Sequence, residues 1–215
     1  MSFLSGQSMP FEALTKVLEQ MEKSLCKITT EKTMGTGFFC KINFRNGSSL
    51  LPVLITTNHL LNEDSIRVGK TISFSLKNDK FFYKIVIDKN RRKYTSPKYD
   101  ITMIEILPKD NLDVISFLNL DRGILDKKPN QNYLNEQVYT IQYTRVKGIY
   151  STGNIKDILD NKYNFSHSCS AEEISIGCPI LSLNNYEVIG VHIGRNDQLK
   201  CNVGTFINKP IEEFN

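Results

Sequence analysis

From Leu25 onward the chain is written in short runs rich in Ile, Val, Phe, Thr and Tyr, each closed off by Gly, Asn, Asp or Pro. The first set reads SLCKITT, GTGFFCKINF, LPVLITT, TISFSL, FFYKIVID and ITMIEIL. After a polar stretch from Pro108 to roughly Asn135 the pattern resumes as QVYTIQYT, GIYSTGNIKDI, CPILSL, EVIGVHIG and GTFI. Branched and aromatic side chains pack well on a pleated surface, and the punctuating residues favour turns. Two groups of about six strands joined by a polar connector predict an all-β fold of two six-stranded antiparallel β-barrels with an N-terminal α-helix. The expected division is a helical arm over 1–24, a first barrel over 25–115, a connector over 116–135 and a second barrel over 136–215. A short helical turn is expected near Ser116 to Asn119.

The arm carries its own signals. Ser8 before Met9, Pro10 and Phe11 looks like a helix start, with Pro10 in the first turn. Phe11, Leu14, Leu18, Met21 and Leu25 then recur at helical spacing and form one apolar stripe. That stripe is expected to dock on the chain's own domain, with a partner-binding arm as the alternative.

Composition narrows the function classes. A net charge of +4, evenly spread, does not point to nucleic acid. The one basic cluster, Lys89 to Lys93 with Arg91 and Arg92, reads as a solvated loop, with a patch for an acidic partner as the alternative. No run approaches the ~18 consecutive apolar residues that span a bilayer, so no membrane partner is expected. The N-terminal residues lack the features of a secretory leader, and Cys26, Cys40, Cys169, Cys178 and Cys201 lack metal-site spacing. Free thiols in a reducing compartment, inside a cell or a virion, are expected. With no phosphate-cradling glycine loop either, no cofactor is expected.

Three segments bear chemistry. In VLITTNHLL an apolar strand runs into Thr56, Thr57, Asn58 and His59. In KYDITMIEIL, Asp100 stands immediately before an apolar strand. In SIGCPILSLNNYEVIGVHIG a tight turn leads into a strand, a hairpin and another strand. On these segments, and on GTGFF upstream, the chain resembles the chymotrypsin-like peptidases, particularly the intracellular trypsin-like peptidase domains, over about Leu25 to Ile207. In that family the order is histidine, aspartate, serine, with a Gly-x-Ser-Gly-x-Pro turn at the nucleophile. The resemblance puts His59 at the general base and Asp100 at the carboxylate that orients it. A base must lie within ~2.6–3.2 Å of the hydroxyl it deprotonates, and its other ring nitrogen must be held as N–H.

The third segment departs from the pattern. Gly177 and Pro179 match the end of the turn, which places Ile176 at the nucleophile and Ile174 where the family has an oxyanion-hole glycine, with Ser175 between them. Isoleucine has no nucleophilic atom, and a β-branched residue resists the backbone dihedrals such a turn needs. Losing a pre-formed oxyanion donor alone costs about 2.7–4 kcal/mol of transition-state stabilisation. Ser175 is one residue early and is expected to point away from His59. Cys178 is two residues late, and it is the candidate for a displaced nucleophile because thiols serve in viral relatives of the fold. The alternative for Cys178 is a buried, inert thiol.

EVIGVHIG is similar to the strand that walls the primary specificity pocket in Glu- and Gln-preferring members. His192 then occupies the pocket position, with Gly190 and Gly194 beside it and Asn202, Gly204 and Thr205 on the opposite wall. The resemblance implies a Glu- or Gln-bearing peptide bound in an extended, strand-adding mode. The alternative is a residual histidine enclosed by its neighbours. The sequence therefore predicts an inactive protease-like module that binds protein or peptide, against an endopeptidase using His59 with Cys178.

Overall fold

The structure is a computed structural model that describes residues 11–44, 49–77, 79–126, 130–198 and 200–215. The expected helix start at Ser8, Met9 and Pro10 lies outside the described residues. Seven strands make the first sheet: β1 (Leu25–Thr29), β2 (Met34–Phe44), β3 (Ser49–Thr56), β4 (Thr71–Leu76), β5 (Phe81–Val86), β6 (Lys93–Ser96) and β7 (Ile101–Glu105). They pair antiparallel in the order β5-β4-β1-β2-β3-β7-β6. Six more close a barrel in the order β10-β13-β12-β11-β8-β9. These are β8 (Gln137–Tyr143), β9 (Gly148–Ile158), β10 (Asn164–His167), β11 (Pro179–Ser182), β12 (Val188–Asn196) and β13 (Cys201–Phe206). The architecture is the expected double barrel, with the first half a curled sheet whose edges, β5 and β6, do not pair with each other.

Alternation along the strands explains why the halves hold together. Phe39, Leu54 and Ile104 face the interior of the first sheet with Cys26, Ile28 and Phe74. Their neighbours Phe38, Val53, Ile55 and Met103 join the core shared with the second barrel. β2 and β3 are therefore buried on both faces, which is why LPVLI is apolar without a break.

The gap between β5 and β6 is bridged by Arg91. Its guanidinium donates to both carboxylate oxygens of Asp110 at 2.7 Å, to the Glu105 carbonyl at 2.6 Å and to the Val86 carbonyl at 3.1 Å. Arg92 pairs with Glu105, and the Lys93 ammonium donates to the Ile66 carbonyl at 2.5 Å. The solvated loop expected over Lys89 to Lys93 is thus corrected: fixed carbonyls and carboxylates at the sheet seam hold three of its cations.

Two further expectations change. Ser116 to Asn119 contains no helical turn; Leu118 exchanges backbone bonds with Phe39 and Lys41, and this extends the edge of β2. The helical turn falls later, at α2 (Arg122–Leu125), capped by the Asp121 carboxylate. The N-terminal helix α1 (Phe11–Lys23) docks through Ala13, Val17 and Gln20, while Phe11, Leu14 and Leu18 face outward. Gln20 sets this rotation, because its amide donates to the Tyr186 carbonyl at 2.9 Å and accepts from the Tyr139 hydroxyl at 2.6 Å. The C-terminal helix α3 (Asn208–Phe214) leaves the second barrel and returns to the first half, where Glu213 accepts from the hydroxyls of Tyr94 and Tyr99, each at 2.8 Å. Among the described residues no helix is long and apolar enough to cross a membrane, and all five cysteines are free thiols.

Candidate active site

β3 ends at Thr56, and the chain turns so that His59 meets Asp100 at the entrance to β7. The turn is held on both sides. The Asn58 amide donates to the Thr95 hydroxyl at 2.6 Å, and the Thr102 hydroxyl donates to the Leu61 carbonyl at 2.6 Å. Asp100 takes a left-handed backbone, with φ of 54°, a conformation that Asp tolerates better than most residues. Its carboxylate accepts twice from the same residue, from the His59 backbone N–H at 2.9 Å and from Nδ1 at 2.5 Å. A carboxylate only accepts, so Nδ1 carries a proton, and in the neutral ring the lone pair is left on Nε2. This is the arrangement a general base needs.

The turn from Ile174 to Cys178 is bolted to the first sheet. Thr36 on β2 donates its backbone N–H to the Ile176 carbonyl and its hydroxyl to the Ile174 carbonyl, both at 2.8 Å. The Thr56 hydroxyl in turn donates to the Thr36 carbonyl at 2.8 Å. A Cβ placed on Gly35 would meet Leu60 at 2.6 Å and the Ile176 carbonyl at 3.0 Å. The turn and the residue following His59 therefore share one wall. Gly177 sits at φ 90° with its N–H on the His192 carbonyl at 2.8 Å. A side chain there is barred on two counts, dihedral and space.

Each candidate for a nucleophile has a definite place. Ile176 is half-exposed, while Ile174 and Ser175 are buried. The Ser175 hydroxyl donates to the Glu172 carbonyl at 2.5 Å, and its backbone N–H donates to the same carbonyl at 3.0 Å. Cys178 is 1% exposed. Burial pushes its thiol pKa well up, and the nearby Cys169 pushes it further the same way. No hydrogen bond joins Cys178 to His59 among the described residues; the only side-chain partner of His59 there is Asp100.

The predicted pocket residues gather on β12 and β13. His192 is 2% exposed and hydrogen-bonds the barrel histidine His167, Nδ1 to Nε2, at 3.1 Å. Burial lowers its pKa to about 4. The Thr205 hydroxyl contacts Asn164 Oδ1 at 2.8 Å and the Tyr99 carbonyl at 3.0 Å, and the Asn202 amide donates to the Cys169 carbonyl at 2.7 Å. Gly190 and Gly204 admit the Phe165 ring, and a Cβ on either would meet it at 3.0 Å or less. Gly194, by contrast, faces open space at φ 143°. Two surface cavities meet at the Thr30–Thr33 loop. One, of about 500 Å³, is lined by His59, Leu60, Asn62 and Lys70; the other, of about 360 Å³, by Arg145, Glu173 and Ile174.

Two parts of this site escape a reading of the sequence. His167 lies in NFSHS, too short and polar to stand out as a strand, and only its pairing with His192 gives it meaning. Thr36 and Thr56 belong to ordinary strand runs, and their side chains matter only because the turn lands on them.

No family model matches the chain, and no curated protein sequence matches it. Solved structures do. The chain is similar to Rv3671c from M. tuberculosis H37Rv, solved as an inactive serine-to-alanine mutant, with a TM-score of 0.65 and 14% identity over 96% of this chain and 92% of that one. It is similar to catalytically active tobacco etch virus protease complexed with product, with a TM-score of 0.64 and 16% identity over 97% and 81% of the two chains. A serine endoprotease from Yersinia pestis gives a TM-score of 0.65 and 10% identity over 96% and 68%. The fold is that of the chymotrypsin-like serine proteases.

Proposed function

We propose that the chain is a protease-fold module that binds peptide or protein without hydrolysing it, in a reducing compartment where its thiols stay free. The observation that carries this reading is Ile176, half-exposed on the turn that shares a wall with an intact His59–Asp100 pair. The base is in place, and among the described residues no hydroxyl or thiol is hydrogen-bonded to it. The neighbouring serine is engaged within its own turn, and the neighbouring cysteine is buried. The cavities beside His59 and Ile174, together with the open backbone at Gly194, suit an extended peptide laid across the two halves. The ligand side chain we propose is Gln or Glu, from the likeness of the β12 sequence to the pocket strand of Glu- and Gln-preferring proteases.

The displaced-nucleophile alternative has a direct test. With iodoacetamide at neutral pH, half-exposed Cys201 is expected to react first. Cys178 is expected to react only once denaturant opens the barrel, because a buried thiol with a raised pKa forms little thiolate. Rapid labelling of Cys178 in the native protein, slowed by His59→Ala, would instead mark it as an activated nucleophile.

A further inference from the structure

The two edges of the first sheet are treated differently. β6 is covered by α3, since the Tyr94 hydroxyl donates to Glu213 at 2.8 Å and the Tyr94 ring packs on Phe214. β5 ends the sheet with no strand paired to its outer side among the described residues. In an antiparallel ladder, residues whose backbone groups face the neighbour alternate with residues whose groups face away. Ile87 faces the β4 side, giving its N–H to the Lys70 carbonyl at 2.8 Å and accepting from the Gly69 N–H at 2.7 Å. Ile85, Tyr83 and Phe81 therefore face β4 as well, and the backbones of Phe82, Lys84 and Val86 point outward. The Val86 carbonyl fits this phase, because Arg91 Nε reaches it at 3.1 Å from the gap between β5 and β6. The N–H and C=O of Phe82 and Lys84, with the Val86 N–H, have no backbone partner among the described residues.

The side chains on this edge are apolar where solvent meets them. Phe82 is 76% exposed and Val86 53%, with exposed Lys84 between them on the same face. Tyr83 and Ile85 turn the other way, Tyr83 stacked on Phe74 and Ile85 buried. An open edge carrying exposed apolar side chains is a template for another strand. Charge then selects the strand. The acidic residues nearest β5 in the chain are engaged, Asp79 by Lys27 and Asp88 by Lys109, whereas no ion pair holds Lys77, Lys80 or Lys84 among the described residues. A second copy of this chain would set these lysines against themselves, and an acidic strand would not.

We propose that the outer edge of β5 is a strand-addition site for an extended acidic segment of a partner protein, which pairs with the outward backbone of Phe82 and Lys84. Residues i, i+2 and i+4 of the added strand lie over Phe82, Lys84 and Val86, so the segment reads apolar, acidic, apolar at alternate positions. Arg91 ends the ladder at Val86 by occupying its carbonyl. None of these residues lines the cavities beside His59 and Ile174, so this site stands whether or not the peptide-binding reading of the candidate active site holds.

The test titrates the acetylated, amidated heptapeptide Thr-Val-Thr-Glu-Thr-Val-Thr into the 15N-labelled full chain, beside the same peptide with Lys in place of Glu. The Glu peptide is expected to shift the amide signals of Phe82, Lys84 and Val86 and to bind at least about tenfold tighter than the Lys peptide. Hydrogen exchange at the Phe82 and Lys84 amides is expected to slow with peptide bound, since both N–H groups gain a partner. Lys84→Glu is expected to reverse the preference between the two peptides. Proline at an edge position removes only the outward N–H and leaves the β4 ladder intact. Lys84→Thr is therefore expected to bind both peptides alike, and Lys84→Pro to bind neither. Equal binding of the Glu peptide by the Thr and Pro variants would mean a charged patch without strand pairing and would overturn the proposal. Should Lys84→Pro not fold, the preference of Lys84→Glu decides, and an unchanged preference overturns it. Shifts confined to the surroundings of His59 would place the peptide in the candidate active site and overturn the β5 assignment alone. Sedimentation of the chain by itself is expected to show a monomer; a dimer in which Phe82 and Lys84 exchange slowly would give the edge to a second copy and overturn it too.

Discussion

Replacing Arg91 with alanine is expected to destabilise the protein by roughly 3–5 kcal/mol, the usual cost of stripping one partner from a buried ion pair. The guanidinium is 1% exposed and the Asp110 carboxylate 5%, so neither charge has water to fall back on. Four contacts are lost at once, two to the carboxylate and two to backbone carbonyls at the ends of β5 and β7. The Asp110 carboxylate is then left with the Leu107 N–H at 2.8 Å. For a chain of this size the loss corresponds to a fall of roughly 6–20 °C in Tm. A double variant, Arg91→Met with Asp110→Leu, is expected to lose much less than the sum of its parts, because no charge is left buried without a partner. Urea denaturation measures both; a change below about 0.5 kcal/mol for Arg91→Ala, the range of an ordinary surface substitution, would mean the seam is not held by this residue.

Gly177→Ala carries the second large effect, and Gly69→Ala is its control. Both glycines have φ near 90°, so both substitutions incur the same left-handed backbone penalty, about 1–2 kcal/mol. At Gly69 nothing lies within 4 Å of the new methyl. At Gly177 the methyl would stand 2.1 Å from the Thr36 carbonyl oxygen and 2.5 Å from the Thr56 hydroxyl, which are hydrogen-bonded to each other within the first sheet. A backbone oxygen cannot swing aside as a side chain can, so the turn must move. We expect Gly177→Ala to cost at least about 3 kcal/mol in all, with the overpacking on top of the dihedral strain. Equal losses at the two positions would show that the turn has slack and that its attachment to β2 is not rigid.

Much of the fold is legible in the sequence because long strands announce themselves. GTGFFCKINF and LPVLITT carry enough branched and aromatic residues to be read alone, and they became β2 and β3. KYTS and NFSH do not. β6 and β10 have four residues each, largely polar, and they are strands because β7 and β13 offer them a ladder. The helix face was legible only as a stripe. Spacing marks Phe11, Leu14 and Leu18 as apolar, and it does not show that hydrogen bonds from Gln20 turn the opposite side inward. The same limit applies to Arg91, which lies in a cluster of cations in sequence and whose partners in space are a carboxylate and two carbonyls. At the site, His59 and Asp100 could be singled out by order, since each ends or begins a strand. The burial of Cys178 and the partner of His192 depend on contacts between segments far apart in the chain, which no local pattern encodes.

The measurement that bears most directly on the central claim is hydrolysis of a mixed peptide library at neutral pH, comparing the native chain with an Ile176→Ser, Ile174→Gly variant. The native chain is expected to cleave nothing above the buffer rate, while the variant, with a hydroxyl beside His59 Nε2 and a freer amide at the oxyanion position, is expected to cleave measurably and to fall silent again with His59→Ala. Cleavage by the native chain, abolished by His59→Ala, would contradict the account and make this protein a working protease.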